Sequence, residues 1–211
     1  MDFSASDLCK RSAAQILYFI KSGTKPKVTD RMLMGSKYQM DVYNDILGSG
    51  ENAFDEMQGV YHCGDDNIYF CIDIVKPDGF IEVKSVFGDS DNIAINYDKW
   101  YLESSLLQCA VYKSLLMNME GNKLRTAQFR VNEGVERREI EVDTNQPYYL
   151  KFGSVGTFEV RVKNSEPILD FLRKKIEALS DFESARAFDE KYRHNEFKIL
   201  SQYFEYEHKE L

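Results

Sequence analysis

The chain has 211 residues, 43% hydrophobic and 13% aromatic, which excludes a disordered segment and is enough for one full core. Its net charge of −8 disfavours a protein that coats nucleic acid. The longest apolar runs fall well short of the roughly 20 residues that a membrane span needs. The opening MDFSASDLCKRS lacks the basic start and apolar stretch of a secretory leader, so an intracellular, cytoplasmic protein with no membrane partner is expected. Charge is uneven. Residues 1–40 hold seven Lys/Arg against three acids, a segment of +4 ahead of a remainder of −12. Such a segment suits a weakly held, enzymatically processed nucleic acid, or is ordinary charge scatter. The four cysteines, Cys9, Cys63, Cys71 and Cys109, show no C-x-x-C spacing and are expected to be free thiols.

In chain order, Ser4 to Asp7 reads as a capping signal for one helix running through Leu8, Ile16, Phe19 and Ile20 to Gly23. The polar linker KSGTKPKVTD follows, then a second helix from Asp30 to Leu47 closed by Gly48. A strand over Glu56–Cys63 and a turn at Gly64–Asn67 lead into a hairpin. The polar stretch Gly88–Asp98 reads as a loop near it. A helix from Lys99 to Met119 has apolar residues on all sides, which predicts burial. Strands are expected at Arg125–Asn132, Arg138–Val142, Tyr148–Phe152 and Thr157–Lys163, and helices at Glu166–Leu179 and Glu183–Phe204. The last helix, with acids and bases around aromatic residues, is either a solvated amphipathic helix or a face for self-association into a homo-oligomer. The order describes an α/β core with accessory C-terminal strands and helices.

The hairpin arms, Ile68–Val75 and Phe80–Phe87, flank Lys-Pro-Asp-Gly, with Pro77 suited to the second turn position and Gly79 to the last. If the turn closes symmetrically, Val75 faces Phe80, Asp73 faces Glu82 and Cys71 faces Lys84. Period two then puts Asp73, Glu82 and Lys84 on one face, and Phe70, Ile72, Ile74, Ile81 and Val83 on a core face. Like charges directly opposite one another destabilise a sheet, so a cation between Asp73 and Glu82 is the natural compensation. The alternative is a solvated face with a chance grouping of charges.

The order Asp73, then Glu82-Val83-Lys84, then Gln108-Cys-Ala-Val-Tyr112 on the next helix resembles the RecB-like branch of the PD-(D/E)xK nuclease superfamily. The opening helix SASDLCKRSAAQILYF is similar too, and Met34-Gly-Ser-Lys-Tyr-Gln39 stands where that branch often has Gly-x-x-x-His. The likeness covers about residues 2–116. It implies a restriction-endonuclease-like central mixed sheet flanked by helices, in a single nuclease domain over 1–211 with its core at about 2–132 and accessory elements at about 133–211. It implies metal ligation by Asp73, Glu82 and the Val83 carbonyl, catalysis by Asp73, Glu82 and Lys84, and a nucleic-acid face at Gln108 and Tyr112. Lys10 and Arg11, in the basic segment, are expected to contact backbone phosphates. Gln39 departs from the branch's histidine and leaves only an indirect role beside the metal; His62 reads as structural. The iron–sulfur members use one early cysteine and three near the C-terminus, and no cysteine follows Cys109, so no iron–sulfur cluster is expected.

Phosphodiester hydrolysis needs a hard cation to polarise the phosphoryl oxygen and acidify bound water, which Mg²⁺ or Mn²⁺ on oxygen ligands supplies. The expected function is a metal-dependent DNA nuclease, similar to stand-alone phage or viral processing enzymes that act in host cytoplasm. Exonuclease or endonuclease action, on single or double strands, stays open. The alternatives are a silent nuclease-fold protein that binds nucleic acid or a protein, and an unrelated interaction module.

Overall fold

A computed structural model describes residues 1–24, 30–86, 99–126, 138–192 and 195–209, with only the backbone of Asp30 and Arg31. The later part of the polar linker, the whole Gly88–Asp98 stretch and the expected strand beyond Thr126 lie outside the described residues.

The sheet is built around two consecutive hairpins. Strand β2 (Phe54–Cys63) pairs antiparallel with β3 (Asp66–Lys76), and β3 turns into β4 (Gly79–Lys84) with Val75 opposite Phe80 and Lys76 opposite Gly79. That is the symmetric closure predicted by Pro77 and Gly79. On the far side of β4, strand β7 (Tyr148–Phe152) runs parallel, followed by antiparallel β8 (Gly156–Val162) and β9 (Phe204–Lys209). On the far side of β2 lie β5 (Lys123–Thr126) and β6 (Glu139–Glu141). A short strand β1 (Asp2–Ser4) adds in parallel to β3 at Asn67–Tyr69. The sheet is therefore mixed, with strand order β6-β5-β2-β3-β4-β7-β8-β9.

Helix α4 (Lys99–Asn118) crosses one face. Its Leu106, Leu107, Ala110, Val111, Leu115 and Leu116 are all buried, because a helix apolar all round has no face to give to water. Helices α1 (Ala5–Lys10) and α5 (Glu166–Glu177) join it in the main core with Phe70, Phe80, Tyr148 and Phe152. Helix α3 (Asp30–Gly48) covers the opposite face, where Val42 packs on Ile74 and Val83, with Tyr38, Ile46 and Ile81 beside them. This mixed sheet between helical layers is the α/β architecture expected of a restriction-endonuclease-like chain. Among the described residues no helix is long and apolar enough to cross a membrane.

Three expectations are corrected. The opening helix is two helices, α1 and α2 (Ala13–Ser22), and Ser4 makes no side-chain cap; the capping box belongs to Ser12 and Gln15. The terminal helix is cut into α6 (Phe182–Tyr192) and α7 (Glu196–Leu200), and its end becomes β9. Phe204–Lys209 alternates acids with other residues, and Glu205 and Glu207 reach Lys163 and Arg161 across the ladder, so the same charges that suit a helix face also suit an edge strand. Of the apolar residues of these helices, Ala185, Phe188 and Leu200 are buried within the chain itself, whereas Phe182 is exposed. Finally, the core side of the hairpin is split between layers. Phe70 and Ile72 join the main core with Val75, whereas Ile74, Ile81 and Val83 sit under α3. The switch falls where Asp73 faces Glu56, a position missing from an otherwise continuous ladder, and Glu56 adopts φ +48°.

Gly59 lies opposite Phe70, and a Cβ there would stand 2.2 Å from the ring's Cζ. Gly59→Ala is expected to cost about 1–3 kcal/mol by overpacking. The check is a lower urea midpoint at unchanged m-value.

Candidate active site

The site forms where β4 leaves β3. The β3–β4 ladder ends at Ile74–Ile81, and β1 takes up the same edge of β3 only at Tyr69. Between them, among the described residues, β3 has no strand neighbour on that side, and α1, which follows β1 directly, approaches the gap. The Val83 N–H, which continuing the ladder would spend on β3 backbone, donates instead to Asp73 Oδ2 at 2.8 Å. The N–H and C=O of one strand residue point to the same side, so the Val83 carbonyl also faces the gap.

Glu82 is only 2% exposed. Its Oε1 accepts from Lys84 Nζ, in a close ion pair, and from Gln108 Nε2 at 2.7 Å. Its Oε2 has no partner, and neither do Gln108 Oε1 and the Tyr148 hydroxyl; among the described residues these are the buried side-chain polar atoms left unsatisfied. Burial raises the Tyr148 pKa well above the ordinary value, and the Glu82 charge adds to it. Buried polar atoms are nearly always satisfied by protein, water or an ion, so this concentration around one carboxylate marks a place for them.

Charge within the cluster is close to balanced. Burial, then the Glu82 carboxylate, push the Asp73 pKa up to about 7, against the pull of Lys84, the Val83 N–H and Lys10. Burial would lower Lys84, but Glu82 and then Asp73 hold it above its ordinary value. Lys10, at the end of α1, has an exposed side chain and no ion-pair partner among the described residues. Crowding by surrounding protein and then the Lys84 ammonium lower its pKa, while Glu82 and Asp73 raise it, so Lys10 stands within electrostatic reach of all three.

The remaining candidates are placed differently. Gln108 and Tyr112 share a face of α4, but it is the face packed on the sheet, and each is 2% exposed. Tyr112 lies with its ring 6.0 Å from Phe70. A surface open to a nucleotide is not what these two form; Gln108 braces Glu82, and Tyr112 packs against Phe70. Arg11 is taken by Asp7 at 2.6 Å and by the Phe19 ring at 4.9 Å. Gln39 is half-buried on α3, one turn beyond Gly35, whose Cβ position would lie 3.4 Å from Ser85 Oγ just past β4. His62 is paired with Asn67 at 2.8 Å. All four cysteines are free. Tyr148 gave no signal in the sequence, where it is one aromatic residue in a predicted strand.

Oxygen donors dominate the gap: the Asp73 and Glu82 carboxylates and the Val83 carbonyl. Among the described residues no group of three His, Cys, Asp or Glu side chains converges as a metal cluster. A closed zinc-type site is therefore not what these residues build. Two carboxylates and a carbonyl fit Mg²⁺ or Mn²⁺, which keep water and take phosphate oxygens for the rest of their shell.

No protein-family model matches the chain, and no curated protein matches it. Solved structures similar to it include that of SSO0001, 16% identical over 68% of this chain and 70% of the other, with a TM-score of 0.41. Another is an alkaline exonuclease, LHK-Exo, from Laribacter hongkongensis, 14% identical over 94% of both chains, with a TM-score of 0.40. Both likenesses are distant, and the chemistry of the gap stands on this chain's own residues.

Proposed function

We propose that this chain is a divalent-metal-dependent nuclease that hydrolyses phosphodiester bonds of DNA at the gap between β3 and β4. The carrying observation is the buried Glu82, with one oxygen held by Lys84 and Gln108 and the other unpartnered, beside Asp73. A buried carboxylate with a free oxygen and a second carboxylate nearby is costly unless a cation shares the site. Bound there by Asp73, Glu82 and the Val83 carbonyl, Mg²⁺ or Mn²⁺ would polarise the phosphoryl oxygen and lower the pKa of water.

The chain's own residues do the rest. Asp73 is fixed by the Val83 N–H and cannot swing away from the gap. Gln108 and Lys84 both hold Glu82 Oε1, which leaves Oε2 as the atom directed to a ligand. Lys84 also presents an ammonium that offsets negative charge developing on the phosphate. Lys10 supplies a second, exposed cation for a neighbouring phosphate.

The test is incubation with end-labelled linear DNA and closed circular DNA, single- and double-stranded, in Mg²⁺, Mn²⁺ or chelator, with Lys84→Ala as control. Metal-dependent cleavage reduced at least 100-fold in Lys84→Ala is expected, in line with the loss of one transition-state cation. Unchanged turnover in Lys84→Ala at matched purity would sink the mechanism. Cutting of circles would assign endonuclease action.

A further inference from the structure

We propose that Lys175 and Asp189, on the C-terminal helices α5 and α6, are positioning residues that hold the break between α1 and α2 and thereby aim Lys10 at the substrate phosphates. This rests on the nuclease reading for the role of Lys10, and on geometry for the rest. A single helix through residues 5–22 would need four backbone bonds across the junction: Ser12 N–H to the Leu8 carbonyl, Ala13 to Cys9, Ala14 to Lys10, and Gln15 to Arg11. Each of the four N–H groups is spent elsewhere, that of Gln15 on Ser12 Oγ at 3.2 Å. Ser12 donates to Gln15 Oε1 at 3.2 Å, Ala13 to Asp189 Oδ1 at 2.7 Å, and Ala14 to Asp189 Oδ2 at 3.0 Å. On the acceptor side, the Leu8 carbonyl takes the Lys175 ammonium at 2.7 Å in place of its helical donor.

Lys175 is fully buried on α5 and is neutralised by Glu196 at 3.1 Å, so it has no other use for its charge. Asp189 lies on α6, where its carboxylate also meets the positive end of α2. Arg11 and Ser12 are consequently extended, with ψ of 150° and 154°. The apolar spacing alone predicts a continuous helix. The local Ser12–Gln15 capping box and the C-terminal helices together interrupt it, and the residue that ends α1 is Lys10.

The experiment measures DNA binding by the full chain in Ca²⁺, a hard cation of the class proposed for the gap, over a range of salt concentrations. It compares wild type, Lys10→Ala, Asp189→Ala, Lys175→Met and the Lys10→Ala/Asp189→Ala double variant, with thermal melts for each. Loss of one phosphate contact lowers the slope of log K against log salt by about one. Asp189→Ala is expected to lower the slope by about one in wild type and by nothing in the Lys10→Ala background. Lys175→Met should behave alike; if it fails to fold, Asp189→Asn, which keeps one acceptor oxygen, should fall between Asp189→Ala and wild type.

A merely structural clamp would lower the melting temperature and leave the slope alone. That result, additive effects in the double variant, or a wild type that binds no DNA would each overturn the proposal. A wild type that binds with coupled slopes but cuts nothing in Mg²⁺ or Mn²⁺ would remove the nuclease reading and leave the clamp standing.

Discussion

Glu82→Gln is expected to lose at least 1,000-fold in metal-dependent cleavage while keeping its fold, a scale set by the loss of a metal ligand together with the charge that organises Lys84. Glutamine fills the same volume and still offers an oxygen to Gln108 Nε2 and Lys84 Nζ. It withdraws the anionic oxygen that has no protein partner. Glu82→Ala should lose cleavage equally but damage the fold as well. It strips the acceptor from Gln108 and leaves the Lys84 ammonium, buried beside it, with only Asp73 for company. Breaking a buried pair in that way costs about 3 kcal/mol, or roughly 6–12 °C in a chain of this size. The contrast separates chemistry from stability: cleavage assays and melts on both variants should show equal loss of the first and unequal loss of the second. A Glu82→Gln protein that cuts DNA at the wild-type rate would remove Glu82 from the mechanism.

The second large effect is stabilisation by metal, and its sign with pH. A cation that binds only the folded gap stabilises by RT ln(1 + [L]/Kd), about 2.7 kcal/mol at 100 times Kd, which corresponds to roughly 5–10 °C. The metal-free protein should show the opposite pressure. The folded Asp73 pKa lies above its ordinary carboxylate value, through burial and then the Glu82 charge. Folded protein therefore binds more protons than unfolded between the ordinary range and about 7, and the stability contributed by protonated Asp73 is lost as pH rises through that window. Glu82, Lys84 and Lys10 are the charged groups facing it. In chelator, melts should fall from pH 5 to pH 7.5 at this site. In Mn²⁺ the increment should be small at pH 5, where the proton competes, and full above pH 7. Asp73→Asn should flatten the chelator profile in that window and abolish the Mn²⁺ increment together. A Mn²⁺ increment unchanged in Asp73→Asn would place the ion elsewhere.

What could be read without the structure was local. The hairpin register followed from Lys-Pro-Asp-Gly, because a four-residue turn fixes which residues face one another. The burial of α4 followed from its lack of a polar face, and β7 and β8 from short runs of β-branched and aromatic residues. The nearness of Glu82 and Lys84 followed from period two within one strand. The expected pairings of Asp73 with Glu82 and Cys71 with Lys84 do not form, because the ladder ends at Ile74–Ile81 and Asp73 meets β4 through the Val83 N–H instead.

Everything that depended on a distant partner escaped. The core face of the hairpin divides at Asp73 because β4 leaves β3 there, and a ladder's end is not written in alternation. Gln108 and Tyr112 share a helix face at any spacing of four, but only the packing of α4 on the sheet decides that this face looks inward. The end of the chain becomes a strand because β8 offers an edge where Arg161 reaches Glu207 and Lys163, just past the strand, reaches Glu205. The opening helix breaks at Ser12 because Asp189, 176 residues away, takes the N–H groups of Ala13 and Ala14, which completes a break that the local Ser12–Gln15 capping box begins. Helical periodicity records which residues could form a helix. Which of their backbone donors are left to form it is settled by the side chains that the tertiary fold brings alongside.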